Sequence, residues 1–156
     1  MKRIVLIIFV LLLQNTLSAQ YFEGLINKTV IDTGDVNNFL KLAERYSFEN
    51  PHKSIVFAEK ALKLSNKQNY LYGEAKANSV LADNYNILGD YMLAIYHNTE
   101  AINIYSKLEI DNKEAKEHRK AGSILSSQAL LDEAKFEFAK ALDIYFSLND
   151  RSNIAK

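Results

Sequence analysis

Glu74-Ala75-Lys76 recurs as Glu114-Ala115-Lys116 and again as Ile154-Ala155-Lys156, three copies of one seam at a fixed step of 40 residues. Ala61, Ala101 and Ala141 keep the same step, as do Leu62, Ile102 and Leu142, and Leu64, Ile104 and Ile144. Ala94 with Ala134 and Tyr105 with Tyr145 keep it in two copies. Self-similarity at such a period is the signature of a repeat architecture, in which each unit buries its apolar face only by stacking on its neighbours.

The positions between the seams read as helix after helix. Val36, Phe39, Leu40, Leu42, Ala43 and Tyr46 fall three and four apart, which puts them on one helical face. Asn50-Pro51 closes that helix and opens the next, because proline disfavours helical geometry before it and suits a first turn. Ile55, Ala58, Ala61, Leu62 and Leu64 form the second face. A second pair starts near Tyr70, with Ala77, Val80, Leu81, Tyr85 and Leu88 expected inward. It turns at Gly89-Asp90, a left-handed glycine followed by a capping carboxylate. Tyr91, Ala94, Ile95, Ala101, Ile102 and Tyr105 continue it. The third pair runs from about Asn112, turns near Gln128 to Leu130, and closes with Leu131 to Leu148, where Ala134, Phe138, Ala141, Leu142 and Tyr145 are expected inward. Asn149-Asp150 reads as the next turn. Tyr46, Tyr85, Tyr91, Tyr105 and Tyr145, among nine tyrosines, read as core, with a tyrosine-lined groove as the sharper alternative.

The domain plan is a leader at 1–19, a lead-in at 20–34 and repeats at 35–69, 70–109 and 110–149, with the start of a fourth at 150–156. Lys2-Arg3, the apolar run Ile4 to Leu13 and the polar, small-residue stretch ending at Ala19 have the form of a cleaved secretory signal. That run is shorter than the roughly 20 residues a membrane-spanning helix needs. A buried N-terminal helix or an uncleaved anchor is the alternative. The expected location is exported, periplasmic or secreted. Asp35 is a candidate cap for the first repeat helix.

Composition narrows the function. Nineteen basic residues balance nineteen acidic ones, which argues against a nucleic-acid binder, since such a protein normally carries a basic face to replace counterions on phosphates. Cysteine is absent, which excludes disulfides, thiolate metal sites and thiol catalysis. His52, His97 and His118 fall in three different helices without an i,i+4 histidine pair, so they read as surface or rim residues and no metal is expected. Ser123, Ser126 and Ser127 lack a G-x-S-x-G turn, and the chain has no glycine-rich phosphate loop. No catalytic constellation and no cofactor site is found.

Leu81-Ala82, Tyr85, Gly89-Asp90-Tyr91, Ala94 and Ala101 resemble the tetratricopeptide repeat signature. Repeat three keeps Gly122, Ala134, Phe138 and Ala141 but has Leu125 for the tyrosine and Ala129 for the turn glycine. Repeat one keeps Leu42-Ala43, Tyr46 and Ala61 but has Ser54 and no turn glycine. The resemblance implies an all-α, right-handed superhelical solenoid of antiparallel helix pairs. A period of 40, in place of the family's 34, implies helices of about 17 residues, each about 25 Å long.

The resemblance also implies a concave groove lined by the first helix of each repeat, holding a protein or peptide. Carried over by position, its residues are Glu44, Ser47 and Phe48, then Lys76, Ser79, Asp83 and Asn86, then Lys116, Arg119, Lys120, Ser123 and Ser127. Lys116, Arg119 and Lys120 share one helix face and suit a partner's carboxylate or phosphate. A solvated face beside Glu114 and Glu117 is the alternative. The family's carboxylate clamp is not expected, since Asp83 and Val80 occupy two of its positions.

Asn50-Pro51-His52-Lys53-Ser54-Ile55 and Gly89-Asp90-Tyr91, after a leader, are also similar to the sensory regions of some bacterial histidine kinases and transcriptional regulators. No kinase, receiver or helix-turn-helix segment accompanies them. The expectation is therefore a non-catalytic binding scaffold, or the input half of a truncated receptor. Membrane association is expected only through the leader, and self-association at the apolar flank of the Leu131 to Leu148 helix.

Overall fold

From Pro51 onward the described helices start every 20 residues, half the period seen in the sequence. The computed structural model describes residues 33–148 as six helices: α1 (Thr33–Tyr46), α2 (Pro51–Gln68), α3 (Leu71–Ile87), α4 (Tyr91–Lys107), α5 (Asp111–Ser127) and α6 (Leu131–Ser147). The leader, most of the lead-in, the Asn149-Asp150 turn and the fourth repeat lie outside the described residues. Thr33 and Gly34 belong to α1, so Asp35 sits in the first turn, buried, and does not precede the helix as a cap.

The turns explain the regular step. Asn69, Gly89, Glu109 and Ala129 all have positive φ, at 54°, 79°, 55° and 61°, and they too are 20 residues apart. After each, the next amide reaches back five residues: Tyr70 to Ser65, Asp90 to Tyr85, Ile110 to Tyr105 and Leu130 to Leu125, at 2.9–3.1 Å. One residue in the left-handed region lets the last free carbonyls of a helix be satisfied and reverses the chain within three residues. Only Gly89 adopts that conformation without strain from a side chain. The N-terminal ends are capped where polar residues allow it. Asn50 Oδ1 accepts from Lys53 N at 3.0 Å, and Asp90 Oδ1 from Leu93 N at 3.3 Å.

Turns this short make consecutive helices antiparallel. Each helix packs on the next, and α1 also packs on α3, so the described residues form an all-α solenoid of helix pairs. Small residues set the crossings. Ala75 packs with Ala101, Ile104 and Tyr105, and Ala115 with Ala141 and Tyr145, repeating one contact set at the 40-residue step. Alanine at the crossing lets two helix backbones approach closely, and larger side chains at its edges fill the remaining volume. Ser54 takes the place of Ala94 and Ala134. Its hydroxyl donates to Ala43 O at 2.6 Å and accepts from Asn84 Nδ2 at 2.8 Å, tying α1, α2 and α3 together.

Several inward assignments are corrected. Phe138 and Leu142 are each 39% exposed and Leu88 is 40% exposed. Leu88 lies in the α3–α4 turn. Phe138 and Leu142 lie on the flank of α6, and no further described helix covers that flank as α5 covers α4. At the equivalent positions of α4, Asn98 is buried and Ile102 half-buried. Of the tyrosines read as core, Tyr105 and Tyr145 are buried, whereas Tyr46, Tyr85 and Tyr91 are half-buried.

Candidate functional site

The odd-numbered helices α1, α3 and α5 lie side by side, and a trough of about 440 Å³ opens along them. α1 contributes its C-terminal end, with Ser47 and Phe48 just beyond it; α3 contributes Lys76 to Ile87, and α5 its first two turns. Eight of the sequence-assigned residues line it: Glu44, Ser47, Phe48, Lys76, Ser79, Asp83, Asn86 and Lys116. Lys113, Glu117, Tyr105, Val80 and Ile87 line it too and were not assigned. Phe48 is 90% exposed, an apolar ring standing in solvent at one end.

Repeat three departs from expectation. Arg119, Ser123 and Ser127 do not line the trough. Ser123 Oγ donates to Arg119 O at 3.1 Å and Ser127 Oγ to Ile124 O at 2.7 Å, so both hydroxyls are spent on their own helix. Lys120 bends inward: its ammonium lies 2.8 Å from Glu117 Oε2 and 2.9 Å from Asp83 Oδ1, and donates to Ser79 O and Oγ at 3.0 and 2.9 Å. The cation cluster expected from Lys116, Arg119 and Lys120 is therefore not assembled.

Glu117 is the centre of that arrangement and is only 2% exposed. Besides Lys120, its carboxylate accepts from Ser79 Oγ at 2.7 Å and Asn98 Nδ2 at 2.9 Å. A buried carboxylate is tolerated only when its lone pairs are filled and its charge is paired, and here three donors from α3, α4 and α5 do both. Glu117 was assigned to a solvated face. It is instead the floor of the trough between repeats two and three. Burial raises the neighbouring Tyr105 phenol above its ordinary pKa, and the Glu117 charge adds to the effect.

The histidine reading holds for His52, which is exposed, and is corrected for His118 and His97. His118 is buried, its Nδ1 donating to Glu137 Oε2 at 2.5 Å while Nε2 lies 3.8 Å from Glu114. His97 is half-buried, stacked on Tyr85 at 5.5 Å, with Nδ1 donating to Asn78 Oδ1 at 2.8 Å. The two pairs are equivalent: Asn78 and His97 recur as His118 and Glu137 one repeat later. Their shared spacing was visible, but without the pairing of helix faces it did not declare a bond. Among the described residues no group of three His, Asp or Glu side chains is arranged to hold a metal ion.

The fold has solved counterparts. Aspartyl phosphate phosphatase F from Bacillus subtilis matches over 77% of this chain, with a TM-score of 0.72 and 21% identity. BtubC (BKLC) from P. vanneervenii matches over 85%, with a TM-score of 0.73 and 21% identity. The chain spans 32% of the length of the first and 56% of the second. At that identity the likeness is one of fold. No protein-family model and no curated protein matches the chain.

Proposed function

We propose that this chain is a non-catalytic scaffold of the tetratricopeptide type, exported from the cytoplasm, that holds a segment of another protein in the trough along α1, α3 and α5. The observation that carries the reading is the trough itself. It presents hydrogen-bonding side chains of Ser47 and Asn86 with apolar Phe48, Val80 and Ile87, on helices whose spacing is set by the buried alanines beneath. A concave surface of mixed polarity on a stiff frame suits an extended peptide, which needs both side-chain pockets and partners for its backbone.

The test is site-directed photocrosslinking. A photoreactive residue at position 86, in the trough, is expected to capture a discrete partner from an envelope extract. The same residue at position 92, where Met92 is 81% exposed and lies outside the trough, is expected not to. Equal capture at both positions, or none at position 86, overturns the reading.

A second reading is that these repeats are the sensory input of a larger signalling receptor. Its support is that the matched fold units are parts of longer chains in both solved counterparts.

A further inference from the structure

Resting on the reading of the trough as a segment-binding surface, we infer that its occupant is an acidic segment whose aspartate or glutamate side chains meet Lys113 and Lys116. Charge pairing within the trough leads there. Glu44 is paired with Lys76 at 2.9 Å, and Asp83 and Glu117 share Lys120 at 2.9 and 2.8 Å. Each carboxylate of the trough thus already has a protein cation. Lys113 and Lys116 also line the cavity, and neither makes an ion pair among the described residues.

The position of that unmet charge adds direction. Lys120 of α5 reaches Ser79 and Asp83 of α3, so Lys116 and Lys113, one and two turns nearer the start of α5, gather beside the N-terminal half of α3. Phe48 and Ile87, both exposed, stand toward its C-terminal end. From Lys76 to Ile87 is about 16 Å along the helix, a length that roughly five residues of extended chain cover. The occupant therefore carries acidic side chains at one end and an apolar side chain at the other. Among the described residues no arginine lines the trough. Without a guanidinium fork, which matches phosphate oxygens two at a time, two separate ammonium groups suit two separate carboxylates.

The test uses the full chain and three fluorescent peptides of about eight residues, in which leucine alternates with aspartate, with lysine or with phosphoserine, read by anisotropy at low salt. The aspartate peptide is expected to bind about tenfold more tightly than the lysine peptide. That preference is expected to disappear in the double variant Lys113→Ala/Lys116→Ala, to persist in Arg119→Ala, and to shrink as salt rises. Circular dichroism verifies that the double variant is folded. Binding that ignores peptide charge, or a preference that survives in the double variant, overturns the acidic assignment while position 86 still reports a filled trough. Binding of the phosphoserine peptide alone overturns the carboxylate source. Failure of all three peptides to bind overturns the inference, and photocrosslinking then decides separately whether the trough is used.

Discussion

Glu117 and Lys120 form their 2.8 Å ion pair at the two positions that Ala77 and Val80 hold one repeat earlier. Both earlier residues are buried and apolar, so repeat three has put a charged pair where repeat two has plain packing. The exchange works because Ser79 and Asn98 supply donors from the neighbouring helices. Between repeats two and three, the junction thus adds hydrogen bonds across three helices to the usual fit of small side chains.

Breaking the pair from one side leaves a buried charge short of a partner. Lys120→Met is expected to destabilise the fold by about 3 kcal/mol. The double variant Glu117→Ala/Lys120→Val, which copies repeat two at these positions, is expected to recover part of that loss, the buried Asn98 amide that it leaves without an acceptor accounting for the rest. Urea unfolding followed by circular dichroism compares the two, and a double variant no more stable than Lys120→Met alone would refute this account.

The left-handed turn residues make a second test. Ala129 holds φ at 61° with a side chain that disfavours it, so Ala129→Gly is expected to gain about 0.5–1 kcal/mol. Gly89, at 79°, is open on all sides, so Gly89→Ala is expected to lose about 1 kcal/mol through backbone strain alone. Thermal melts of the two variants should move in opposite directions.

Gly73 and Gly122 both lie within helices but differ in what surrounds them. A methyl group at Gly73 would lie 2.5 Å from the Tyr70 ring and 2.7 Å from Ser65 Oγ, while the atoms nearest to one at Gly122 belong to the Phe138 ring, at 2.7–2.9 Å. Phe138 is partly exposed and free to swing aside, whereas Ser65 is fully buried. Gly73→Ala is expected to cost about 1–3 kcal/mol and Gly122→Ala clearly less, measured by the same urea titration.

His97 makes stability depend on pH. Burial lowers its pKa from the ordinary 6.5, so the folded chain resists a proton that the unfolded chain accepts. Stability is then at its full value above pH 6.5 and falls as pH drops toward the lowered folded value. Melting temperatures at about pH 7.5 and 5.5 should differ less in His97→Gln than in the parent chain. An unchanged difference would rule out His97 as the source.

The six described helices were legible because each carries an apolar stripe at helical spacing, and the repeat was legible because alanines recur where helices cross. The 20-residue half-step was not. First and second helices of a pair turn different faces inward, so their side chains share no pattern; only the backbone of the turns repeats, and Asn69, Glu109 and Ala129 do not announce a left-handed conformation. Most trough residues of α1 and α3 followed from position in the repeat. In α5 that reasoning failed, since position says which face a residue occupies and is silent on whether a long side chain bends toward a buried carboxylate.

By itself, then, the sequence determined the helical period and the stacking step, because these depend on local spacing and residue size, while the choice of the first helices as groove helices came from the family resemblance. Tertiary structure alone decided which charges remain free. Lys120 and Glu117 neutralise each other where α3 and α4 bring Ser79 and Asn98 to the same carboxylate, and among the described residues Lys113 and Lys116 remain the trough lysines without an ion pair.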